Sequence, residues 1–283
     1  MKKFAVIGHP VAHSLSPLIH QANFSSLGYD ASYEKIDVES SMLGDFIKKA
    51  KDLGYAGLNV TVPHKVAVLD FVDIKDDNVL RYGSINTIRF ESCGKVSGFN
   101  TDVKGFLDAL SEKNFDIKGK KVLVFGCGGA GQALALCAAY EGARTIYLAA
   151  KHERRALALE TEMKRCGFDA RAMNSPIEDT LKSRMSVWCE KSLECDLVIN
   201  ATPVGLNTAD APLLTSQAFR PRQFVLDIIP TKEFPPTAKE ALAAGADVYD
   251  GIDFLVSQAA ESFKIWTGEN ADKRAMLSAV RGG

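Results

Sequence analysis

No apolar run in the sequence is long enough to cross a membrane as a helix, which takes about twenty residues. The opening Met1–Pro10 holds two lysines, but its apolar stretch ends at Gly8, too short for the core of a signal peptide. A cytoplasmic protein is expected. The six cysteines (Cys93, Cys127, Cys137, Cys166, Cys189, Cys195) form no C-x-x-C pair. That removes zinc spacing and leaves reduced thiols as the simplest reading. His9 and His13 stand four apart, but Pro10 between them opposes the helix that would make them a metal pair. Charge of either sign is not in excess: 34 Lys and Arg face 35 Asp and Glu, a net charge of −1. Neither nucleic acid nor an anionic membrane is an expected partner. There is no internal repeat and no low-complexity segment. No G-x-S-x-G occurs, so the hydrolase nucleophile elbow is excluded.

What is present centres on Lys121–Ala133, K-V-L-V-F-G-C-G-G-A-G-Q-A. A short apolar run stops at Gly126. Gly126, Gly128 and Gly131 then make G-x-G-x-x-G, and an alanine-rich run follows. This is strand, tight turn and helix. Such glycines make the turn, let backbone approach a pyrophosphate and let helix and strand pack closely; the helix N-terminus favours the anion. Cys127 lies inside this turn, where its part is to be small. The plain alternative is a glycine-rich turn in an ordinary α/β domain. The motif lies in mid-chain, so another unit must precede it.

Strands alternate with helices on both sides of the motif. Before it, strands are expected at Phe4–Ile7, Ser32–Val38 and Gly57–Val62. A hairpin is expected from Ser84–Phe90 and Lys95–Phe99. Helices are expected at Leu18–Leu27 (with Ser16 as N-cap and Pro17 in the first turn), Met42–Leu53, Pro63–Phe71 and Asp102–Leu110. After it come a doubly wound succession, with a helix over 178–191 and strands at Asp196–Asn200 and Phe224–Ile229, and then the C-terminal helices Ile252–Trp266 and Ala271–Val280. The fold expected is α/β in two domains: an N-terminal α/β domain with a mainly parallel sheet, and a Rossmann-like doubly wound nucleotide-binding domain. The boundaries expected are residues 1–101 for the first, completed by 238–283, and 102–237 for the second.

An NAD site places an acid near the end of the second strand, for the ribose 2′-hydroxyl. Here Ile146–Arg155 reads I-Y-L-A-A-K-H-E-R-R, with Ala149 and Ala150 where the acid would stand. Lys151, Arg154 and Arg155 offer cations to a 2′-phosphate, so NADP is favoured. Glu153 keeps NAD as the alternative. The plain reading is a solvated helix surface.

Loops after the early strands carry polar residues that a core does not need. They are Ser14 and Ser16; Asn59, Thr61 and Lys65; Asn86 and Thr87; and Asn100, Thr101 and Asp102. In a mainly parallel sheet such loops gather at one edge and fit a polyhydroxylated substrate. Reduction of a ketone needs a proton donor at the developing alkoxide, and Lys65 held by Asp102 meets that need. Taken singly, Asp102 reads as a helix cap and Lys65 as a solvated lysine.

These segments together resemble the shikimate dehydrogenase family over nearly the whole chain. H-S-L-S-P, G-L-N-V-T-V-P-H-K, S-I-N-T, N-T-D, G-C-G-G-A-G, N-A-T-P-V-G and Q-A-A-E-S-F-K-I-W-T-G occur in the family's order. The resemblance implies reversible reduction of 3-dehydroshikimate to shikimate with NADPH, in aromatic amino-acid (chorismate) biosynthesis. It implies Lys65 and Asp102 as the catalytic pair. Ser14, Ser16, Asn59, Thr61, Asn86 and Gln258 match positions that bind the substrate. Gly126, Gly128, Gly129, Ala130, Gly131, Lys151, Arg155, Thr202 and Gly251 are the implied cofactor contacts. The first domain is then the substrate domain, and the protein a monomer or homodimer without metal.

The sequence departs from the family pattern at four places. Pro230, Thr231 and Lys232 stand where a tyrosine-containing stretch is usual. Ala150, Lys151 and His152 replace the usual N-R-T. Val103 replaces a glycine, and Phe254 a methionine. Ser16 favours shikimate over quinate. The rival expectations are an NAD-dependent quinate/shikimate dehydrogenase and a non-catalytic regulatory protein that binds nucleotide or shikimate.

Overall fold

A computed structural model describes residues 1–173, 181–207 and 209–282, with the side chains of 181–186 left aside. The first three positions of the helix expected over 178–191 lie outside the described residues. Strands are β1 (Lys2–Gly8), β2 (Ala31–Asp37), β3 (Tyr55–Val60), β4 (Ile74–Lys75), β5 (Thr87–Phe90), β6 (Val96–Phe99), β7 (Lys121–Phe125), β8 (Thr145–Ala149), β9 (Ala170–Ala172), β10 (Leu197–Asn200), β11 (Phe224–Asp227) and β12 (Asp247–Tyr249). Helices are α1 (Ser16–Leu27), α2 (Leu43–Asp52), α3 (His64–Ala67), α4 (Asp77–Tyr82), α5 (Asp102–Glu112), α6 (Gly129–Tyr140), α7 (Glu153–Arg165), α8 (Leu181–Glu194), α9 (Pro236–Ala243), α10 (Gly251–Thr267) and α11 (Lys273–Arg281).

The chain divides into two compact units, residues 1–106 with 255–283, and residues 107–254. The divisions fall inside α5 and α10.

The first unit is built on a six-stranded sheet in the order β2-β1-β3-β5-β6-β4. All its pairings are parallel except those of β5, which runs antiparallel to β3 and β6. Both faces are covered, which is why β1 reads as one unbroken apolar run. Alternate residues serve opposite faces. Ala5 and Ile7 pack with Leu43, Ile47, Leu58 and Ile88. Phe4 and Val6 pack with Phe24, Tyr33, Phe263 and Trp266. Trp266 lies against the backbone because Gly57 has no side chain: a Cβ there would sit 2.2 Å from the indole nitrogen. The indole N–H donates to the Ile88 carbonyl at 2.8 Å.

The second unit holds an all-parallel sheet in the order β12-β11-β10-β7-β8-β9. Val122, Leu123, Val124 and Phe125 of β7 are all buried. Strand order reverses between β7 and β10, which is where an open α/β sheet forms its ligand crevice.

Three local expectations are corrected. Ser16 is the first residue of α1 and not its cap; Leu15 holds that position, and Ser14 Oγ accepts the Ser16 N–H at 3.3 Å. The strand β4 and helix α4 had no counterpart in the sequence reading. Asp76 caps α4 by accepting the Val79 N–H at 2.7 Å. Finally, the chain does not rejoin the first unit at 238. Pro235 and Pro236 open α9 instead of ending the domain, because proline suits a first helical turn. Strand β12 then pairs in parallel with β11 in the second sheet.

Among the described residues, no helix is long and apolar enough to cross a membrane, and no group of His, Cys, Asp and Glu is placed to hold a metal ion.

Candidate active site

In the first unit the reversed strand β5 decides what meets what. It starts at the sheet edge where β3 and β6 end, because it runs against both. Asn86, just before β5, therefore comes to lie beside Asn59 in β3 and beside Asn100, Thr101 and Asp102 after β6.

Lys65 Nζ lies 2.5 Å from Asp102 Oδ2, with side-chain exposures of 13% and 3%. This is a part-buried ion pair closed by a charge-assisted hydrogen bond. The other oxygen, Asp102 Oδ1, accepts from Asn86 Nδ2 at 2.9 Å. Lys65 is also placed through its backbone, whose carbonyl accepts the Ile85 N–H at 2.8 Å. Gln258, in α10, accepts from Asn86 Nδ2 at 3.2 Å and from Thr101 Oγ1 at 3.3 Å. Lys65, Asn86, Asp102 and Gln258 are thus brought into one cluster.

Asn59 is buried next to that cluster, with its hydrogen-bonding groups used inside the protein. Its Nδ2, with two N–H groups, has three acceptors in reach: the Asn86 carbonyl at 3.2 Å, Thr87 Oγ1 at 3.1 Å and Ser262 Oγ at 3.0 Å. Its Oδ1 accepts from the Tyr33 hydroxyl at 2.7 Å. Tyr33, Thr87 and Ser262 belong to this constellation, and Tyr33 and Ser262 were not singled out from the sequence. Their sequence spacing of 26 and 203 residues from Asn59 leaves no local signal.

Ser14 is half-buried and Ser16 buried at the start of α1. Thr61 follows β3, and its N–H donates to the Ile7 carbonyl at 2.9 Å. Gly8 makes room for it: a Cβ there would lie 2.4 Å from Thr61 Cγ2. The loop ahead of α1 is tied by Lys35 Nζ, which donates to the Ala12 carbonyl at 2.6 Å.

In the second unit the glycine turn has the shape its sequence implied. Gly126 has φ of 94°, open to glycine and costly for other residues. A Cβ on Gly131 would sit 1.8 Å from the Gly126 carbonyl oxygen, so α6 leaves β7 as closely as backbone allows. Gly128 caps α6 and brings no side chain to its N-terminus; Gly129 and Ala130 form the first turn. This cradle fits a pyrophosphate. Burial pushes the Cys127 thiol up to about 12, while the charge of Arg155 pulls it the other way. Arg155 therefore faces the glycine turn electrostatically. Ala149 ends β8, and Lys151 and Arg155 are both exposed beyond it.

Across the strand-order reversal, Thr202 donates from both its N–H (3.1 Å) and its hydroxyl (2.8 Å) to Asn200 Oδ1. Asn200 Nδ2 reaches both oxygens of Asp227 at 3.1 Å. Burial pushes the Asp227 carboxyl up to about 7. Gly251 starts α10 against Ile229, whose carbonyl oxygen would lie 2.2 Å from any Cβ at 251.

Two family models match the chain: a shikimate dehydrogenase substrate binding domain over residues 6–88, and a shikimate 5'-dehydrogenase C-terminal domain over residues 251–281. A shikimate dehydrogenase (NADP(+)) of Methanopyrus kandleri is 40% identical over 282 residues, covering 97% of this chain and 93% of that one. This chain belongs to the shikimate dehydrogenase family. A shikimate 5-dehydrogenase of Thermus thermophilus, solved with NADP(H) and shikimate, matches with a TM-score of 0.82 and 35% identity over 99% of both chains. A Listeria monocytogenes relative, solved with shikimate and NAD, matches with a TM-score of 0.83 and 26% identity over 98% of this chain and 95% of that one. Within this shikimate dehydrogenase-family chain, the departures have structural settings. Val103 and Phe254 are both buried, and Pro230–Lys232 follow β11 as an irregular segment.

Proposed function

We propose that this chain reduces 3-dehydroshikimate to shikimate, reversibly and with NADPH, as a shikimate dehydrogenase of aromatic amino-acid biosynthesis. The part-buried Lys65–Asp102 pair carries this reading. A ketone reduction leaves negative charge on oxygen, and an ammonium held by a carboxylate is suited to donate the proton there. Lys65 supplies that proton, and in the reverse direction takes it back. Asp102 holds the Lys65 ammonium in place through Oδ2, while Asn86 steadies Asp102 through Oδ1. Ser14, Ser16, Thr61, Asn86 and Gln258 bind the substrate's carboxylate and hydroxyls. Asn59, whose groups are engaged by Tyr33, Thr87, Ser262 and the Asn86 carbonyl, supports them from behind.

Gly126, Gly128, Gly129, Ala130 and Gly131 hold the dinucleotide's pyrophosphate, with Thr202 and Gly251 lining the far side of the crevice. When bound, the cofactor supplies the hydride. Lys151 and Arg155 take the 2′-phosphate, which makes NADP the preferred form.

The test is a comparison of initial rates with shikimate and quinate, each with NAD and NADP. The shikimate–NADP combination should have the highest kcat/KM. A preference for quinate or for NAD overturns that part of the assignment, and binding without turnover in all four overturns the enzyme. Lys65→Ala should lower kcat by about 10²- to 10⁴-fold with a much smaller change in KM. An equal effect on both would make Lys65 a binding residue.

A further inference from the structure

Behind the acid–base pair lies a buried chain of hydrogen bonds, of which the proposed mechanism uses only the last link, Asn86 to Asp102. Its direction is fixed by backbone groups. The Thr101 N–H, which can only donate, gives its proton to Asn86 Oδ1 at 2.8 Å. The Asn86 carbonyl, which can only accept, takes one from Asn59 Nδ2 at 3.2 Å. Both amide groups are therefore oriented without ambiguity.

The consequences run outward from these two anchors. Asn59 Oδ1 must accept, so the Tyr33 hydroxyl donates to it at 2.7 Å. Asn59 Nδ2 has two N–H groups; with one on the Asn86 carbonyl, the other goes to Ser262 Oγ at 3.0 Å, the shorter of its two remaining contacts. Ser262 Oγ and Thr87 Oγ1 lie 2.8 Å apart, so one hydroxyl donates to the other; Ser262 is the donor when Thr87 gives its single proton to Asn86 Oδ1 at 3.1 Å. Asn86 Nδ2 then donates to Asp102 Oδ1 at 2.9 Å. In this arrangement every link points the same way: Tyr33 to Asn59, Asn59 to Ser262, Ser262 to Thr87, Thr87 to Asn86, Asn86 to Asp102. Aligned donors polarise one another, and the effect accumulates at the terminal acceptor. That acceptor is the carboxylate that holds Lys65.

The head of the chain is prepared for its part. The Tyr33 ring stacks on His20 with centroids 4.4 Å apart and planes 8° apart. Burial lowers His20 to about 3, so the partner of the stack is neutral imidazole. Burial also holds the Tyr33 phenol well above its ordinary value, which keeps its proton in place as a donor.

We infer that Tyr33 is a positioning residue for the reaction, acting through Asn59, Ser262, Thr87 and Asn86 to fix the Asp102 carboxylate against Lys65. This rests on the acid–base reading of Lys65 and Asp102 given above. No group in the chain touches the reacting atoms from Tyr33's end, so its removal should slow the chemical step and leave NADPH binding alone.

The experiment is single-turnover kinetics on the full chain with shikimate and NADP. Tyr33→Phe keeps the stacked ring and removes only the hydroxyl. Its chemical step should slow about five- to tenfold, the size of one neutral hydrogen bond, with the KM for NADP unchanged. Thr87→Val should show the same loss, and Thr87→Ser, which keeps the hydroxyl, should restore the rate. In an Asn86→Ala background Tyr33→Phe should have no further effect, because the link it acts through is already cut. Thermal melts establish that the variants are folded; if Tyr33→Phe is not, the Thr87→Val and Thr87→Ser pair decides. An unchanged rate in Tyr33→Phe, or a full additional loss in the Asn86→Ala background, overturns the inference and leaves the function standing. An inactive parent enzyme overturns both.

Discussion

Asp227 offers the sharpest test of how the second unit balances burial against hydrogen bonding. The carboxyl is fully buried at the end of β11. Two donors favour its ionised form: Asn200 Nδ2, 3.1 Å from each oxygen, and the Ile229 N–H at 3.1 Å. Burial outweighs them, Asp250 adds like charge, and the carboxyl is carried from 3.8 to about 7. A carboxyl raised on folding favours the neutral form in the native state. Its stabilising contribution is therefore complete below about pH 4 and disappears as pH rises through 7. A rise of roughly three pH units, at about 1.4 kcal/mol for each, amounts to about 4 kcal/mol over the range. Asp227→Asn removes the titration. The asparagine oxygen can still accept from Asn200 and Ile229. Urea unfolding of both proteins at intervals from pH 4.5 to 8.5 is the assay. The variant should gain stability on the parent steadily with pH, by about 3 to 4 kcal/mol in total. A difference that stays constant across the range would show that Asp227 is ionised throughout, and the argument from burial would fail.

Two further expectations follow from packing. Gly131→Ala places a Cβ 1.8 Å from the Gly126 carbonyl oxygen, so the glycine turn must open. NADPH affinity, measured by fluorescence titration, should fall by at least about tenfold, a 1.4 kcal/mol loss; undiminished affinity would contradict the cradle. Phe263 is fully buried among Phe4, Phe24 and Trp266. Phe263→Ala should cost about 3–5 kcal/mol in denaturant unfolding, and a loss under about 1 kcal/mol would mean the site collapses onto neighbouring rings.

What could be read from the chain before folding was what depends on local geometry. The glycine turn was legible because its demands are largely local: Gly126 adopts positive φ, and Gly131 meets the Gly126 carbonyl five positions back. Lys65 and Asp102 were legible as a pair because both follow strands whose ends share a sheet edge. The helices α1 and α10 were legible from their stops, Gly28 and Gly268, both of which adopt positive φ. Other features depend on distant partners. Tyr33 looks like an ordinary strand residue until β3 is laid beside β1 and its hydroxyl meets Asn59. Ser262 reads as a polar interruption of an apolar helix until α10 returns to the first unit. The helix and short strand within 238–254 were assigned to the first unit because nothing local says which sheet they join; the pairing of β12 with β11 places them in the second. The short β4 and α4 carry too few residues for any periodicity to register.

The reversal of β5 has a practical side. Strands β5 and β6 are joined by a bend at the sheet edge opposite to the one where Asn86 and Asp102 lie. Cys93 stands in that bend and is exposed. Cys166, in the other unit, is the other exposed thiol among the described residues. With Cys166→Ser in place, a maleimide dye or a surface tether directed to Cys93 would mark the first unit at the sheet edge opposite Lys65 and Asp102.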